Sequence, residues 1–268
     1  MTPPLLEGRG LTFRFGHREV LHEVSLALTS GDCVALLGAN GSGKTTLLRL
    51  LLGLARPDSG EVLLDGRPLT TQARRAIARR MAYVPQAHVP SFPFSVREIV
   101  TMGRTPTAGW RGRPNTSDDL AVGDALSRIG MLEFAERSYA ALSGGERQAV
   151  LIARALAQGA GILLMDEPTA SLDLGQQTRL MTVLADLARE GHAILMSTHQ
   201  PDLALRWFNR AILLDQGAVL SDGPPEETLT PDNLSRLYRV DVELIQAGAD
   251  LFLRASTRIA ASDSPPTP

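Results

Sequence analysis

Residues 38–45 read GANGSGKT, two glycines framing four residues with Lys-Thr directly after. The segment sits between a short apolar run, CVALL at 33–37, and a helix-like TTLLRLLLGL. Strand, glycine-rich turn and helix in that order predict a loop that cradles phosphate. Backbone amides must turn inward onto phosphate oxygens there, and a side chain at Gly38, Gly41 or Gly43 would obstruct the approach. Asn40 and Ser42 complete the loop, and the helix that follows adds its positive N-terminal end. Lys44 is expected to reach the β- and γ-phosphates of a nucleotide, the Thr45 hydroxyl to bind magnesium, and Thr46 to donate to a phosphate.

The basic residues carry a second argument. Of 27 in the chain, 26 are arginine, and the single lysine is Lys44. A planar guanidinium suits surfaces and paired carboxylates but is too wide for a tight anion nest, which a compact ammonium fits.

At 268 residues the chain can bury a full core, near the upper limit for one domain. Its net charge of −2 supplies no basic field for nucleic acid or an anionic membrane. No apolar run approaches the roughly 18 residues of a membrane span, since Leu47 to Leu54 is broken by Arg49. The N-terminal MTPPLLEGRG has no export signal, and Cys33 stands alone, so a reducing, cytoplasmic setting and a small buried strand residue are expected. The arginines at 74, 75, 79 and 80 recur at helical spacing and read as a solvated face.

Along the chain, Leu11–Phe15, Val20–Leu28, Cys33–Leu37 and GEVLLDG from Gly60 read as strands, with antiparallel pairing expected among them. From Gln86 to about Gln158 the pattern turns helical, with a Gly/Pro-rich break at 105–117, and predicts an inserted helical subdomain. Then come the apolar runs ILLMD at Ile162, AILMS at Ala193 and AILLD at Ala211, with a helix from Gln176 to Arg189, the mark of a parallel α/β sheet. The tail from about Ala255 is small, polar and Pro-rich and is expected to be disordered.

A phosphate loop alone leaves kinases, GTPases and many ATPases open. ILLMDEP narrows the field by ending a strand in two carboxylates, Asp166 placed to hold magnesium and Glu167 to orient or deprotonate water. LSGGERQ at 142–148 can be a capping box of Ser143 and Glu146. A cap does not explain Gly144 and Gly145, which expose amides at a helix start and suggest a second anion site.

With these motifs in this order, the chain from about Leu11 to Ile245 resembles the ATP-binding cassette family. The resemblance implies an α/β fold: a P-loop NTPase, RecA-like core with an N-terminal antiparallel β subdomain and an inserted α-helical subdomain. Residues 1–254 would form one nucleotide-binding domain, its core and β subdomain at about 5–85 and 160–254 and its helical subdomain at about 86–159. It also implies ATP and Mg2+ as ligands, and a head-to-tail dimer. The signature of one copy, Ser143, Gly144, Gly145 and Glu146, would close over the ATP of the other, with Asp173 at the interface. Phe15 would stack on adenine, where the family more often has Tyr. Gln86 would sense the γ-phosphate, the metal and the membrane partner, and His199 would contact the γ-phosphate.

Residues 95–106, STHQPDLALRW and 229–245 are similar to ATPase subunits of importers for iron-siderophores, haem and cobalamin, and related molybdate or tungstate importers carry similar segments. That likeness implies two permease subunits, an external solute-binding protein and a place on the cytoplasmic face of the membrane. Phe92, Phe94 and Trp110 could contact the permease or pack a local core. A cassette ATPase outside transport would show a coiled-coil insertion, paired cassettes or a basic surface. Another P-loop kinase or GTPase would leave the signature unexplained, and no NKxD motif is present.

Overall fold

The computed structural model describes residues 3–86, 93–107, 115–247 and 250–256. From the N-terminus the chain forms β1 (Leu6–Phe15), β2 (Arg18–Leu28), β3 (Cys33–Leu37), α1 (Lys44–Leu51), β4 (Ser59–Leu64), β5 (Arg67–Pro68), α2 (Arg74–Arg80) and β6 (Met81–Val84). The helices α3 (Val96–Thr101), α4 (Thr116–Ile129) and α5 (Gly144–Gln158) follow. Next come β7 (Ile162–Asp166), α6 (Leu174–Arg189), β8 (Ala193–Thr198), α7 (Pro201–Trp207), β9 (Arg210–Asp215) and β10 (Ala218–Gly223). The short α8 (Pro225–Thr228), α9 (Pro231–Tyr238), β11 (Asp241–Ala247) and β12 (Asp250–Ser256) close the described chain.

Two sheets organise these elements into the expected α/β fold. An antiparallel sheet runs β2-β1-β4-β5, and a second sheet runs β10-β9-β3-β8-β7-β6. In the second, β3 pairs parallel with both β8 and β9, β7 with β6 and β8, and β10 is the antiparallel edge. Antiparallel pairing was expected for Cys33–Leu37; the strand lies instead at the centre of the parallel sheet. Burial is the reason, because all five of its residues are covered on both faces, the pattern of a strand inside a parallel sheet. Burial also pushes the Cys33 thiol up to about 12.

The alternation of β3 decides what the sheet packs against. Val34 and Leu36 join Leu47, Leu48, Leu50 and Leu51 of α1 and the inner face of the antiparallel sheet. Cys33, Ala35 and Leu37 join α4, α5 and α6 on the other side. Helix α1 is therefore wedged between the sheets, with Arg49 exposed. Truncating one of these leucines to Ala would cost about 2–5 kcal/mol.

The helical stretch between β6 and β7 is capped as its sequence requires. Ser95 with Glu98, Asn115 with Asp118 and Ser143 with Glu146 each form reciprocal capping boxes. Helix α2 has no buried residue, so its arginines do form a surface face, tethered by Arg80 to Asp65 and by Arg75 and Arg79 to the Pro106 carbonyl. Phe94 packs against the helical core. Phe92, Trp110 and most of the 105–117 break lie outside the described residues. Strands β11 and β12 pair as a hairpin that periodicity did not reveal. It runs to Ser256, just into the expected tail, the rest of which lies outside the described residues. Among the described residues no helix is long and apolar enough to cross a membrane.

Candidate active site

The strand ends β3, β7 and β8 meet at the N-terminus of α1, where parallel strands place their C-terminal ends on one edge. Gly43 takes φ 106°, a left-handed conformation that ends the loop and starts α1 at Lys44. Gly38 is required for a different reason. A Cβ there would lie 2.4 Å from Ser42 Oγ and 2.5 Å from the Leu214 carbonyl. Gly38→Ala is thus expected to destabilise the fold by about 1–3 kcal/mol and to open the loop, so thermal denaturation and nucleotide titration should both register it.

Lys44 is 6% exposed. Its Nζ donates to the Gly38 carbonyl at 2.8 Å and to that of Ala39 at 3.4 Å, and lies 3.8 Å from Glu167 Oε1. Burial draws its pKa below the usual lysine value, while Glu167 and Asp166 oppose the shift. A buried cation held by carbonyls and one carboxylate 3.8 Å away has unspent affinity for an anion.

Glu167 is the hub of the arrangement. Its Oε2 accepts from Gln86 Nε2 at 3.1 Å and stands 3.8 Å from His199 Nδ1. Its backbone takes φ 45°, rare for a residue with a side chain. Asp166 is buried, and its Oδ1 accepts from the Ser197 hydroxyl at 2.7 Å. Ser197 in turn accepts from the Glu167 amide at 2.9 Å. The sequence reading missed Ser197. Its signal was faint: a hydroxyl two positions before His199 at the end of an otherwise apolar strand.

A cleft of about 540 Å³ is lined by Phe15, Asn40, Gly41, Ser42, Gly43, Lys44, Thr45, Thr46, Gln86 and Glu167, with Arg18 and Val20. Phe15 is 77% exposed at its mouth. Of the residues expected to bind nucleotide, all but Gly38 line this cleft. Ser143, Gly144, Gly145, Glu146 and Asp173 do not line this cleft. They adjoin one another instead, since a Cβ on Gly145 would lie 2.7 Å from the Ser171 carbonyl and 2.9 Å from Gln176 Oε1. Gln176 caps Asp173. The capping box foreseen for Ser143 and Glu146 is present, and Gly144 remains exposed beside it.

For a metal, the available groups are the exposed Thr45 hydroxyl, Gln86 and the buried Asp166. No three His, Cys, Asp or Glu side chains gather to hold one among the described residues. An ion that keeps waters and takes phosphate oxygens beside one or two protein groups, as Mg2+ does, fits such a donor set.

Residues 21–170 match the family model for the ABC transporter. The hemin import ATP-binding protein HmuV of Nocardia farcinica is 43% identical over 240 residues, 88% of this chain and 82% of the relative. The cobalamin import ATP-binding protein BtuD of Halobacterium salinarum is 43% identical over 235 residues, 87% of this chain and 58% of that one. A solved ABC transporter assigned to the metal-chelate type, in an inward-facing conformation, has a chain that superposes with a TM-score of 0.81 at 31% identity, covering 95% of this chain and 97% of that one. A phosphate loop closed on a strand-end carboxylate, a separate LSGGE helix start, and this extent of likeness lead to one conclusion: the chain belongs to the ABC transporter family, as an ATP-binding and ATP-hydrolysing subunit.

Proposed function

We propose that this chain powers a membrane importer of an iron chelate, haem or a siderophore, or of cobalamin. It would work as one of two copies on the cytoplasmic face of a membrane, held there by two permease subunits and supplied by an external solute-binding protein. Support for the cargo class comes from the hemin and cobalamin import relatives and the metal-chelate transporter. The molybdate or tungstate alternative finds no support among them. A net charge of −2 supplies no basic field to attract nucleic acid.

The observation that carries the mechanism is the position of the Glu167 carboxylate, within reach of Lys44, Gln86 and His199 together. Phe15 stacks on adenine. The amides of residues 38–43 and the Lys44 ammonium hold the β- and γ-phosphates, and Thr46 adds a hydroxyl. Glu167 takes a proton from the attacking water. Gln86 and His199 orient Glu167 and the γ-phosphate. Thr45, Asp166 and Gln86 would hold Mg2+, which when bound neutralises charge on the phosphates. The Ser143 hydroxyl, whose proton the capping box leaves free, and the Gly145 amide close the γ-phosphate of a second copy, and Asp173 lies at that interface. Residues 1–254 act as one nucleotide-binding unit, with the helical part at about 86–159 facing the permease.

Because the Phe15 ring is exposed and makes little of the fold, Phe15→Ala should leave the melting temperature unchanged. It should weaken ATP binding by about 1–3 kcal/mol, the range for one stacked base, and Phe15→Tyr should restore it. Equilibrium titration with a fluorescent ATP analogue reads both. The cargo is tested by purifying the chain with its permease, embedding the complex in liposomes and following ATP turnover. Haem-, siderophore- and cobalamin-loaded binding proteins are compared. Stimulation by one of the three supports the reading, whereas equal rates with loaded and empty binding proteins contradict it.

A further inference from the structure

Ser197 is fully buried at the end of β8, and both its hydrogen bonds go to the pair of carboxylate residues at the end of β7. Its hydroxyl donates to Asp166 Oδ1 at 2.7 Å and accepts from the Glu167 amide at 2.9 Å. The parallel ladder between the two strands reaches its last register at Asp166↔Ser197. One residue further on, the Glu167 amide is taken by a side chain instead of a strand carbonyl. That exchange lets the chain leave extended geometry, and Glu167 turns to φ 45°. The turn is what carries the Glu167 carboxylate toward Lys44 and Gln86, while Asp166 stays buried beneath it. His199, two residues beyond Ser197, faces the same carboxylate at 3.8 Å.

We infer that Ser197 is a positioning residue, which fixes the metal-binding carboxylate and the catalytic carboxylate relative to each other through one hydroxyl. Resting on the roles given above to Asp166 and Glu167, the inference adds a third residue that touches neither nucleotide nor metal. A serine buried merely to fill the strand end would need a partner, but not two partners in adjacent residues with different tasks. The donated bond leaves one Asp166 lone pair satisfied and sets the plane of its carboxylate. The accepted bond holds the Glu167 main chain in a conformation that residues with side chains seldom adopt. Groups that orient a ligand from behind typically change metal affinity or activity about 10- to 100-fold when removed.

The test compares Ser197→Ala with the unaltered chain in two measurements. The first is steady-state ATP turnover, separated into kcat and KM. The second is equilibrium binding of a non-hydrolysable ATP analogue in EDTA and across a Mg2+ titration. Ser197→Ala removes no volume beyond the oxygen, so a folded protein is expected. The inference predicts kcat lower by about 10- to 100-fold with KM within about threefold. It also predicts unchanged analogue affinity in EDTA and a half-saturating Mg2+ concentration raised severalfold. Should Ser197→Ala fail to fold, Ser197→Gly, which also removes the hydroxyl and adds no volume, is read in the same two assays against the same expectations. Wild-type kcat and wild-type Mg2+ dependence in the folded variant overturn the role of Ser197, as does equal weakening of analogue binding with and without Mg2+. Glu167→Gln in the same assay separates the two levels. If it loses turnover while Ser197→Ala does not, only the role of Ser197 fails; if it keeps turnover, the role of Glu167 itself fails.

Discussion

Glu167→Gln is expected to lower ATP turnover by about 10²–10⁴-fold, the usual contribution of a positioned acid or base, with ATP affinity kept or slightly raised. The amide retains the shape of the carboxylate and can still meet Gln86, which now bonds Oε2 at 3.1 Å. What it loses is the capacity to take a proton. It also loses a negative charge that lies 3.8 Å from Lys44 Nζ and would stand near the γ-phosphate, so nucleotide binding gains whatever repulsion that charge caused. Phosphate release under saturating ATP and equilibrium titration with labelled ATP read the two effects separately. Parallel loss of binding and turnover would show Glu167 to be a structural or ATP-holding residue.

Lys44→Arg should reduce ATP affinity by about 100-fold, or about 2.8 kcal/mol, although the charge is unchanged. The ammonium occupies a buried position between the Gly38 carbonyl at 2.8 Å and Glu167 at 3.8 Å. A guanidinium there has to place three nitrogens where one now sits, in a loop so close-packed that even a Cβ added at Gly38 would lie 2.4 Å from Ser42 Oγ and 2.5 Å from the Leu214 carbonyl. Near-normal affinity in this variant would remove the geometric explanation for the chain's single lysine.

Local chemistry was legible in the sequence. GANGSGKT needs only its own backbone to announce a phosphate loop, and the structure adds why Gly38 and Gly43 are irreplaceable. ILLMDE was readable because strand ends and paired carboxylates are sequence-local. The capping box at Ser143 was equally plain. What escaped depends on partners far away in the chain. Whether Cys33–Leu37 pairs antiparallel with its predecessors or parallel with residues 194–198 and 210–213 is decided by burial on both faces, which a run of five apolar residues does not announce. Strand β6 is four residues long and carries no alternation. Ser197 acquires meaning only from its register with Asp166, 31 residues earlier. The hairpin of β11 and β12 is stabilised by pairing across its own turn and by contacts of Val242 and Leu253 with the helical core, both invisible to periodicity.

The site is expected to be composite. Lys44, Glu167, Gln86 and Phe15 line or edge one cleft, whereas Ser143 to Glu146 and Asp173 form a neighbouring surface with no part in it. ATP binding should therefore belong to one chain and hydrolysis to two. Sedimentation velocity on the Glu167→Gln chain, which holds ATP without consuming it, tests this most directly. A monomer is expected without nucleotide and a dimer with ATP, and adding Ser143→Arg should abolish the dimer while leaving ATP bound. A Glu167→Gln chain that stays monomeric with ATP saturated, beside an unaltered monomer that hydrolyses ATP at full rate, would contradict it.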